Sequence, residues 1–600
     1  MRPLSTLAAL LLLLLAGATD AAAATYHVAP GGNDADDGLT PATAFATLQR
    51  AADAVAAGDL VLVADGTYAG FDLRDVNGTP TQRITFRATG AGALINQAGP
   101  LRDDGINVER ADYVTVEGFV VVGMTGVGNG IRVVESDFAE VRDCRCDANA
   151  ERGIFTAFAD DVLVERNVCT NSVAEHGIYC SNSGDRPTVR YNECSGNNWQ
   201  GLHFNADASA GGDGVISDAR VYGNVIHGNG LAAGITMDGL EAPWIYNNLI
   251  YDNADAQGIA CYGIDGAIAT RNARIFNNTI LVPADGRWGI LLDVGANPGT
   301  EIYNNIILSD HPFRGAITAE STAGLSSDYN LLADRMSATG DGSSVPLAAW
   351  QALGLDLNSS VAPPASQLFV DAGAADFQLA ANSAAVDAGT ATVSAVVTDD
   401  ITGAPRPQGA DYDIGAYEST APLPVELLAP VTARHTHDAT GAVEVRWSTA
   451  RERDVQAFRV ARSRDGAQWT TLGRVAPTGR TRNDYRFVDA SAPAGALLYE
   501  VVELRTDGHT RALGRAAVSM STDEVRVFPN PTRASLHVQL GAAERAPAQV
   551  SLLDASGKLV RSYRATDTGA LDVSTLPVGT YRIRIQLPDG RTLERQVVKH

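Results

Sequence analysis

The chain has 600 residues, 45% of them hydrophobic, and a formal net charge of -24. Such a length exceeds one compact core and predicts several domains, while the apolar fraction excludes a wholly disordered chain. An acidic surface repels phosphate backbones, which argues against nucleic acid as a partner.

Gly is abundant at 59 residues and aromatics reach only 6%, a mix that suits stacked strands joined by tight turns. Lys558 and Lys599 are the only lysines, so Arg carries nearly all the positive charge. An acidic, Arg-over-Lys chain fits a salty medium, and it fits GC-biased coding equally well. At the N-terminus Arg2 precedes an apolar run from Leu7 to Ala18, followed by small residues from Ala21 to Ala24. That pattern reads as a signal peptide over residues 1–24. The run is too short for a transmembrane helix, and no later segment is long and apolar enough to span a bilayer.

A repeat follows. It reads VERNVC at Val164–Cys169, VRYNEC at Val189–Cys194 and VYGNVI at Val221–Ile226. It continues as IYNNLI at Ile245–Ile250, IFNNTI at Ile275–Ile280 and IYNNII at Ile302–Ile307. VRDCRC at Val141–Cys146 is an earlier copy with Cys144 in the Asn place. A second element, Gly followed by an aliphatic, alternates with it at Gly130, Gly153, Gly177, Gly201, Gly234, Gly258 and Gly289. A unit this short, built of two β-rich runs, cannot hold a strand-helix-strand crossover and fits a solenoid coil. Stacked coils align the Asn residues so that each amide bonds to the next along the axis. They also align Cys146, Cys169 and Cys194 with Ile226, Ile250, Ile280 and Ile307. That place points inward and predicts a packed column of thiols, with a disulfide between neighbours as the alternative.

The repeat resembles the right-handed parallel β-helix of the pectate-lyase-like superfamily. The entrance, Tyr26 to Asp34 and Asp37 to Pro41, is similar to the start of many exported β-helix proteins. In those it leads into a capping helix, here expected within Phe45 to Ala57. Ser383 to Gly389 and Asp411 to Glu418 are similar to their closing segments. The resemblance therefore assigns residues 25–420 to the β-helix.

Pro422 to Pro424 reads as a linker. Residues 425–520, with Trp447, Phe458, Val460 and Tyr499 in alternating runs, resemble a fibronectin type III-like sandwich. Residues 525–600 contain Val527-Phe528-Pro529-Asn530-Pro531, Ser556-Gly557-Lys558 and Leu576-Pro577-Val578-Gly579-Thr580-Tyr581. They resemble the C-terminal sorting domain of type IX secretion cargo, which implies a protein released from the cell or attached to its outer surface. The expected fold is all-β: a right-handed parallel β-helix followed by two small β-sandwich domains.

In the pattern Gly-Ile-x-h-x the two x positions point outward. The first outward column reads Arg132, Phe155, Tyr179, His203, Thr236, Ala260 and Leu291. The second reads Val134, Ala157, Ser181, Asn205, Asp238, Tyr262 and Asp293. Polar and aromatic residues cluster in the middle rungs, with His176 at the edge. Longer loops leave the coils of His203 and Ile259, and a short one leaves the Asp238 coil between them. That arrangement predicts a cleft between two raised loops.

Three chemistries fit this face. A lyase or epimerase acting on an acidic glycan needs a base, an acid and a group that neutralises the uronate carboxylate. Tyr179 and His203 are candidates for base and acid, with Asn205, Arg190 or a bound Ca2+ for the carboxylate. The β-helix contains no Lys, so relatives with a lysine base are not models. A glycoside hydrolase needs two carboxylates, best met by Asp238 with Asp207 or Asp213. A Ca2+ site would draw on Asp207, Asp213 and Asp238. His176 and Tyr262 join the substrate-binding candidates. The leading expectation is an exported lyase-type enzyme that cleaves an acidic polysaccharide by β-elimination. The alternative is a non-catalytic glycan-binding protein or adhesin, and the third reading is the hydrolase. Expected partners are a polysaccharide and the type IX secretion machinery, with the chain itself a monomer.

Overall fold

The computed structural model describes residues 23–295, 298–419 and 427–600, the last with short breaks at 437–441, 451, 453–454, 479–482, 494, 506–509, 521–524, 541–546, 567 and 589. The segment expected to be a signal peptide, but for its last two residues, and the expected Pro422–Pro424 linker lie outside the described residues. Two compact units result, up to Ala421 and from Pro422 onward.

The first unit is a right-handed β-helix of three parallel sheets with 12, 11 and 12 strands. Each coil contributes one short strand to each sheet, such as Leu163–Glu165, Val168–Thr170 and Ile178–Ser181. Coil stacks on coil in register: Val164 faces Val189, Cys169 faces Cys194, and Ile178 faces Leu202. The inward positions form one continuous apolar core along the axis. Helix Leu48–Ala52 caps the first coil, shorter than the expected Phe45 to Ala57. Thr47 caps its start, and buried Leu48, Ala51 and Ala52 seal the core end.

The repeat explains one corner of the coil. The residue before each ladder Asn has positive φ, as at Arg166, Tyr191, Asn247, Asn277 and Asn304, which swings the chain from one sheet to the next. The Asn that follows is buried. Nδ2 of Asn167 donates to Oδ1 of Asn192 at 3.0 Å, and 3.0 Å links continue through Asn224, Asn248, Asn278 and Asn305. Asn330 extends the ladder at 3.1 Å. A second ladder, not read from the sequence, joins Asn197, Asn229 and Asn253 at 2.8 and 3.0 Å. All six cysteines are free and buried, and Cys146, Cys169 and Cys194 stack in register as a thiol column. The closing segment binds back on the first corner: Asn247, Asn277 and Asn304 donate to the carbonyls of Asp399, Asp413 and Thr390.

In the second unit, a three-stranded and a four-stranded antiparallel sheet span Leu427 to Met520 and share a core of Val445, Trp447, Phe458, Val460, Tyr485 and Tyr499. A second pair of sheets of the same sizes spans Arg526 to Lys599 around Leu536, Val550, Leu552, Ile583 and Ile585. Among the described residues no helix is long and apolar enough to cross a membrane.

Candidate functional site

The 11-stranded sheet presents the two outward columns in the expected register. Phe155, Tyr179, His203, Thr236 and Ala260 are successive neighbours, as are Ala157, Ser181, Asn205, Asp238 and Tyr262. Parallel strands bring like positions to about 4.8 Å, so side chains in one column touch face to face. The Tyr179 and His203 rings stack with centroids 4.6 Å apart and planes within 9°. Phe155 leans on Tyr179 from the rung before, at 5.5 Å.

His176 enters from the position before its Gly. Its Nε2 lies 3.0 Å from Nδ1 of His203 and 3.4 Å from Oε2 of Glu175. Its residue is 2% exposed. Burial, then the neighbouring His203 and Arg152, hold the His176 imidazole well below the ordinary histidine range. Burial and then Arg152 pull His203 down to about 3. Both rings are therefore neutral near pH 7 and share one hydrogen between them. When that hydrogen sits on His203 Nδ1, the outer Nε2 of His203 is a bare acceptor. When it sits on His176 Nε2, the outer atom carries the proton. The pair can thus take or give a proton at one place. Burial raises the Tyr179 phenol, which stays protonated as a donor.

Arg152 was not singled out in the sequence, and it supplies the charge of the site. Its guanidinium lies over both rings, 5.0 Å from the Phe155 centroid and 5.1 Å from that of Tyr179. Glu175 pairs with it at 2.5 Å and Glu151 at 3.6 Å. Burial, opposed mainly by Arg152, raises the Glu175 carboxyl. Trp199, 42% exposed, lies 5.8 Å from the His176 ring. Arg152, His176 and Gln200 all precede the Gly of their coil, and Glu151, Glu175 and Trp199 stand one place earlier. Extending the position of His176 along the repeat would have found all of them.

Other expectations are corrected. Arg190 lies on strand Thr188–Arg190 of a different sheet, where it pairs with Glu165 at 3.0 Å and with the Tyr222 hydroxyl at 2.7 Å. It cannot serve a ligand on the Tyr179 face. Asp238 is 3% exposed, and its carboxylate accepts the backbone N–H groups of Ile264 and Asp265 at 3.0 and 3.1 Å. That is a loop anchor, although burial raises its carboxyl. Asp207 caps Ser209 N at 2.8 Å and Asp213 caps Val215 N at 2.9 Å, each within its own turn. The hydrolase pair and the three-carboxylate Ca2+ site are therefore not assembled. Among the described residues no group of three or more His, Cys, Asp or Glu is placed to hold a metal ion.

The expected cleft is also closed. The two long loops meet over the low rung: Ala208 N donates to Asp265 O at 3.0 Å, and Ala267 N to Gly214 O at 2.8 Å. Gly239 beneath them has φ 79°, and a Cβ there would lie 2.8 Å from Gly266 Cα. Only Gly lets the roof seat. Asn205, 7% exposed, donates to Asp265 at 3.0 Å and marks the roof's edge. Tyr262 stands two rungs beyond Asn205, partly buried, with its phenol raised by burial. The exposed working surface is thus the stretch from Arg152 to Asn205, on one side of the roof.

Residues 74–260 match the family described as periplasmic copper-binding protein (NosD), and residues 526–599 match the secretion system C-terminal sorting domain. No curated protein matches the chain. Among solved structures, the A-module of the Azotobacter vinelandii mannuronan C-5 epimerase AlgE6 is 16% identical, over 57% of this chain and 89% of that one, with a TM-score of 0.33. An alginate lyase from Paenibacillus sp. str. FPU-7 is also 16% identical, over 44% and 92%, with a TM-score of 0.30. The Dettilon tailspike protein is 11% identical, over 90% and 88%, with a TM-score of 0.36. Likenesses at this level say nothing of activity. What is established is a secreted or cell-surface protein: a right-handed parallel β-helix that carries a type IX secretion sorting domain at its C-terminal end.

Proposed function

We propose that this protein binds an acidic polysaccharide on the Arg152–Asn205 face and cleaves it by β-elimination. The observation that carries the reading is the neutral His176–His203 pair stacked on Tyr179 under a single guanidinium. Arg152 draws the uronate carboxylate and lowers the cost of charge on the adjacent carbon. His203 Nε2 takes the proton from that carbon while Nδ1–H remains bonded to His176. The electron pair forms the C=C bond, the glycosidic C–O bond breaks, and the Tyr179 hydroxyl gives its proton to the departing oxygen. Phe155 and Trp199 offer apolar faces for sugar rings.

A non-catalytic glycan-binding role is the second reading. What favours it is the depth to which His203 is held, about 3, which makes its ring a weak base before a substrate carboxylate arrives. The copper of the matched family's description is not carried over, because the described residues assemble no donor group for it. The sandwich at Leu427 to Met520 is proposed as a fibronectin type III-like spacer, and the exported chain as a monomer.

The test is incubation of the purified protein with alginate, pectin, hyaluronan and chondroitin, read by ultraviolet absorbance of unsaturated uronate products. His203→Ala and Tyr179→Phe are expected to abolish product formation with melting unchanged. Binding without product from any of the four glycans overturns the lyase step and selects the binding role.

A further inference from the structure

The strand before each ladder Asn belongs to a 12-stranded sheet with outward columns of its own. The first residues of successive strands are Leu163, Thr188, Arg220, Trp244 and Arg274, neighbours in register. The third residues of the later strands, Tyr246 and Phe276, pack under Val393, Val397 and Tyr412 of the closing segment. The first column stays open beside that segment: Thr188 and Trp244 are half-buried and Arg220 is exposed. On its other side stand Asp161, Arg186 and Asp218, each in a positive-φ turn position. Thr188 is short and lies between Leu163 and Arg220 in register. A hollow of about 440 Å3 opens over it, lined by Asp161, Arg186, Thr188, Asp218, Arg220 and Trp244. That volume is ordinary for a site that holds a small ligand group.

Part of the lining is satisfied within the protein. Arg186 pairs with Asp160 and Asp161, each at 2.9 Å. Asp218, Arg220, the Thr188 hydroxyl and the Trp244 indole N–H have no hydrogen-bond or ion-pair partner among the described residues. Other outward arginines of this sheet are paired, Arg87 and Arg142 with Glu117 and Arg190 with Glu165. Arg274, one rung on, covers one face of the indole at 4.4 Å and leaves the face toward the Arg220 rung to the hollow. An aromatic face beside a carboxylate, a guanidinium and a hydroxyl complements a sugar ring. The C–H groups of the ring lie on the indole, and its hydroxyls donate to Asp218 and accept from Arg220. An anionic ring would meet Asp160, Asp161 and Asp218 against the single unpaired guanidinium of the lining, so charge favours an uncharged one. A peptide strand would need main-chain partners, and on a sheet face the N–H and C=O groups are already used between strands.

We infer that the hollow over Thr188 is a second, non-catalytic glycan site that takes an uncharged sugar residue of a polysaccharide, stacked on Trp244 and hydrogen-bonded to Asp218 and Arg220. It lies on a different sheet from Tyr179 and His203 and does not depend on the acidic-glycan reading of their face. Two such faces on the same coils would tether the exported protein to a neutral polymer while the Tyr179 face meets an acidic one.

The experiment is calorimetric binding of the full-length protein to four soluble uncharged polymers, arabinoxylan, mixed-linkage β-glucan, galactomannan and dextran, with polymannuronate as the charged comparison. At least one uncharged polymer is expected to bind. Trp244→Ala, Asp218→Asn and Arg220→Gln should each weaken that binding about tenfold, the yield of one aromatic contact or one hydrogen bond to a charged group. Arg152→Gln, on the other sheet, should leave it unchanged. Trp244 also packs against the closing segment, whereas Asp218 and Arg220 are exposed, so the latter two variants keep the fold and decide the matter if Trp244→Ala melts early. Failure of all four uncharged polymers to bind overturns the site, as does binding that survives both Asp218→Asn and Arg220→Gln. Polymannuronate binding that Arg220→Gln weakens overturns the choice of an uncharged ligand. The two sites share no residue, so absence of lyase product overturns the reading of the Tyr179 face alone.

Discussion

Replacing Asn248 by Ala tests what holds the coils together. Asn248 is fully buried at the middle of the ladder. Its Nδ2 donates to Val221 O at 2.9 Å and to Asn278 Oδ1 at 3.0 Å. Its Oδ1 accepts from the Asn224 backbone N–H at 3.1 Å and from Asn224 Nδ2 at 3.0 Å. Truncation to Ala removes four hydrogen bonds and leaves their partners inside a dry turn. At about 1 kcal/mol net per bond the loss is about 4 kcal/mol, and more where the deserted groups find no water. The damage should stay near, since each coil of a solenoid contacts only its neighbours. Hydrogen exchange read by mass spectrometry resolves this. The slowest amides of segments 221–226, 245–250 and 275–280 should exchange about a thousandfold faster, while those near residues 84–117 keep their rates. Asn198→Ala, which removes one bond from an exposed side chain to Ala174 O, serves as the control and should change little. A loss below about 1 kcal/mol for Asn248→Ala would refute the ladder as the support of this corner.

Three further outcomes are expected. Burial, then the like charge of Glu418, pushes the Asp413 carboxyl up to about 7, so the fold holds a proton that the unfolded chain releases above its ordinary value of 3.8. Stability from this group therefore falls as pH rises from about 4 to 7, by at most about 4 kcal/mol. Because His176 and His203 act in the opposite sense over part of that range, the measurement is the melting difference between wild type and Asp413→Asn. That difference should move in favour of the variant from pH 5 to 7 and level off above; a flat difference contradicts the assignment. Burial raises the Cys144, Cys180 and Cys261 thiols, and Cys146, Cys169 and Cys194 are equally enclosed. A colorimetric thiol reagent should find none of the six in the native protein and all six after denaturation. Asn277→Gly keeps the positive-φ turn but deletes the bond to Asp413 O, so limited proteolysis should cut residues 383–418 sooner while the ladder amides keep their protection.

The coil was legible because stacking turns sequence period into spatial contact. Gly177-Ile178 and Gly201-Leu202 align in sequence and face each other in space. The same logic placed Tyr179 on His203 and Cys169 on Cys194. Arg190 went astray for a related reason: it belongs to the strand before the Asn, and the coil bends between that strand and the next. Arg152 and Glu175 were within reach, since Arg152 repeats the place of His176 on the neighbouring coil and Glu175 stands directly before His176. Asp238 was not. Its partners are amides 26 and 27 residues downstream on a loop from another coil, and no local pattern announces that loop's direction. Loop lengths said correctly that something is raised over this rung, but only packing decides that the loops join rather than part.

The doubled Asn of the later coils joins these threads. IYNNLI, IFNNTI and IYNNII place two asparagines where earlier coils have Arg166-Asn167, Tyr191-Asn192 and Gly223-Asn224. The second Asn of each pair points inward and carries the ladder. The first takes the positive-φ turn position, where Asn is well tolerated, and turns its amide outward. There the closing segment binds, through the carbonyls of Asp399, Asp413 and Thr390. One corner of the coil thus serves both the stacking of the helix and the docking of its own tail. The tail docks through main-chain groups and through Arg406, which reaches Asn247 Oδ1 at 3.3 Å and also builds a buried pair with Glu418, both side chains fully enclosed and 2.8 Å apart. Recognition at this corner places no demand on the sheet that carries Tyr179 and His203. That sheet's outward residues need not support the fold's closure and can be chosen for a ligand.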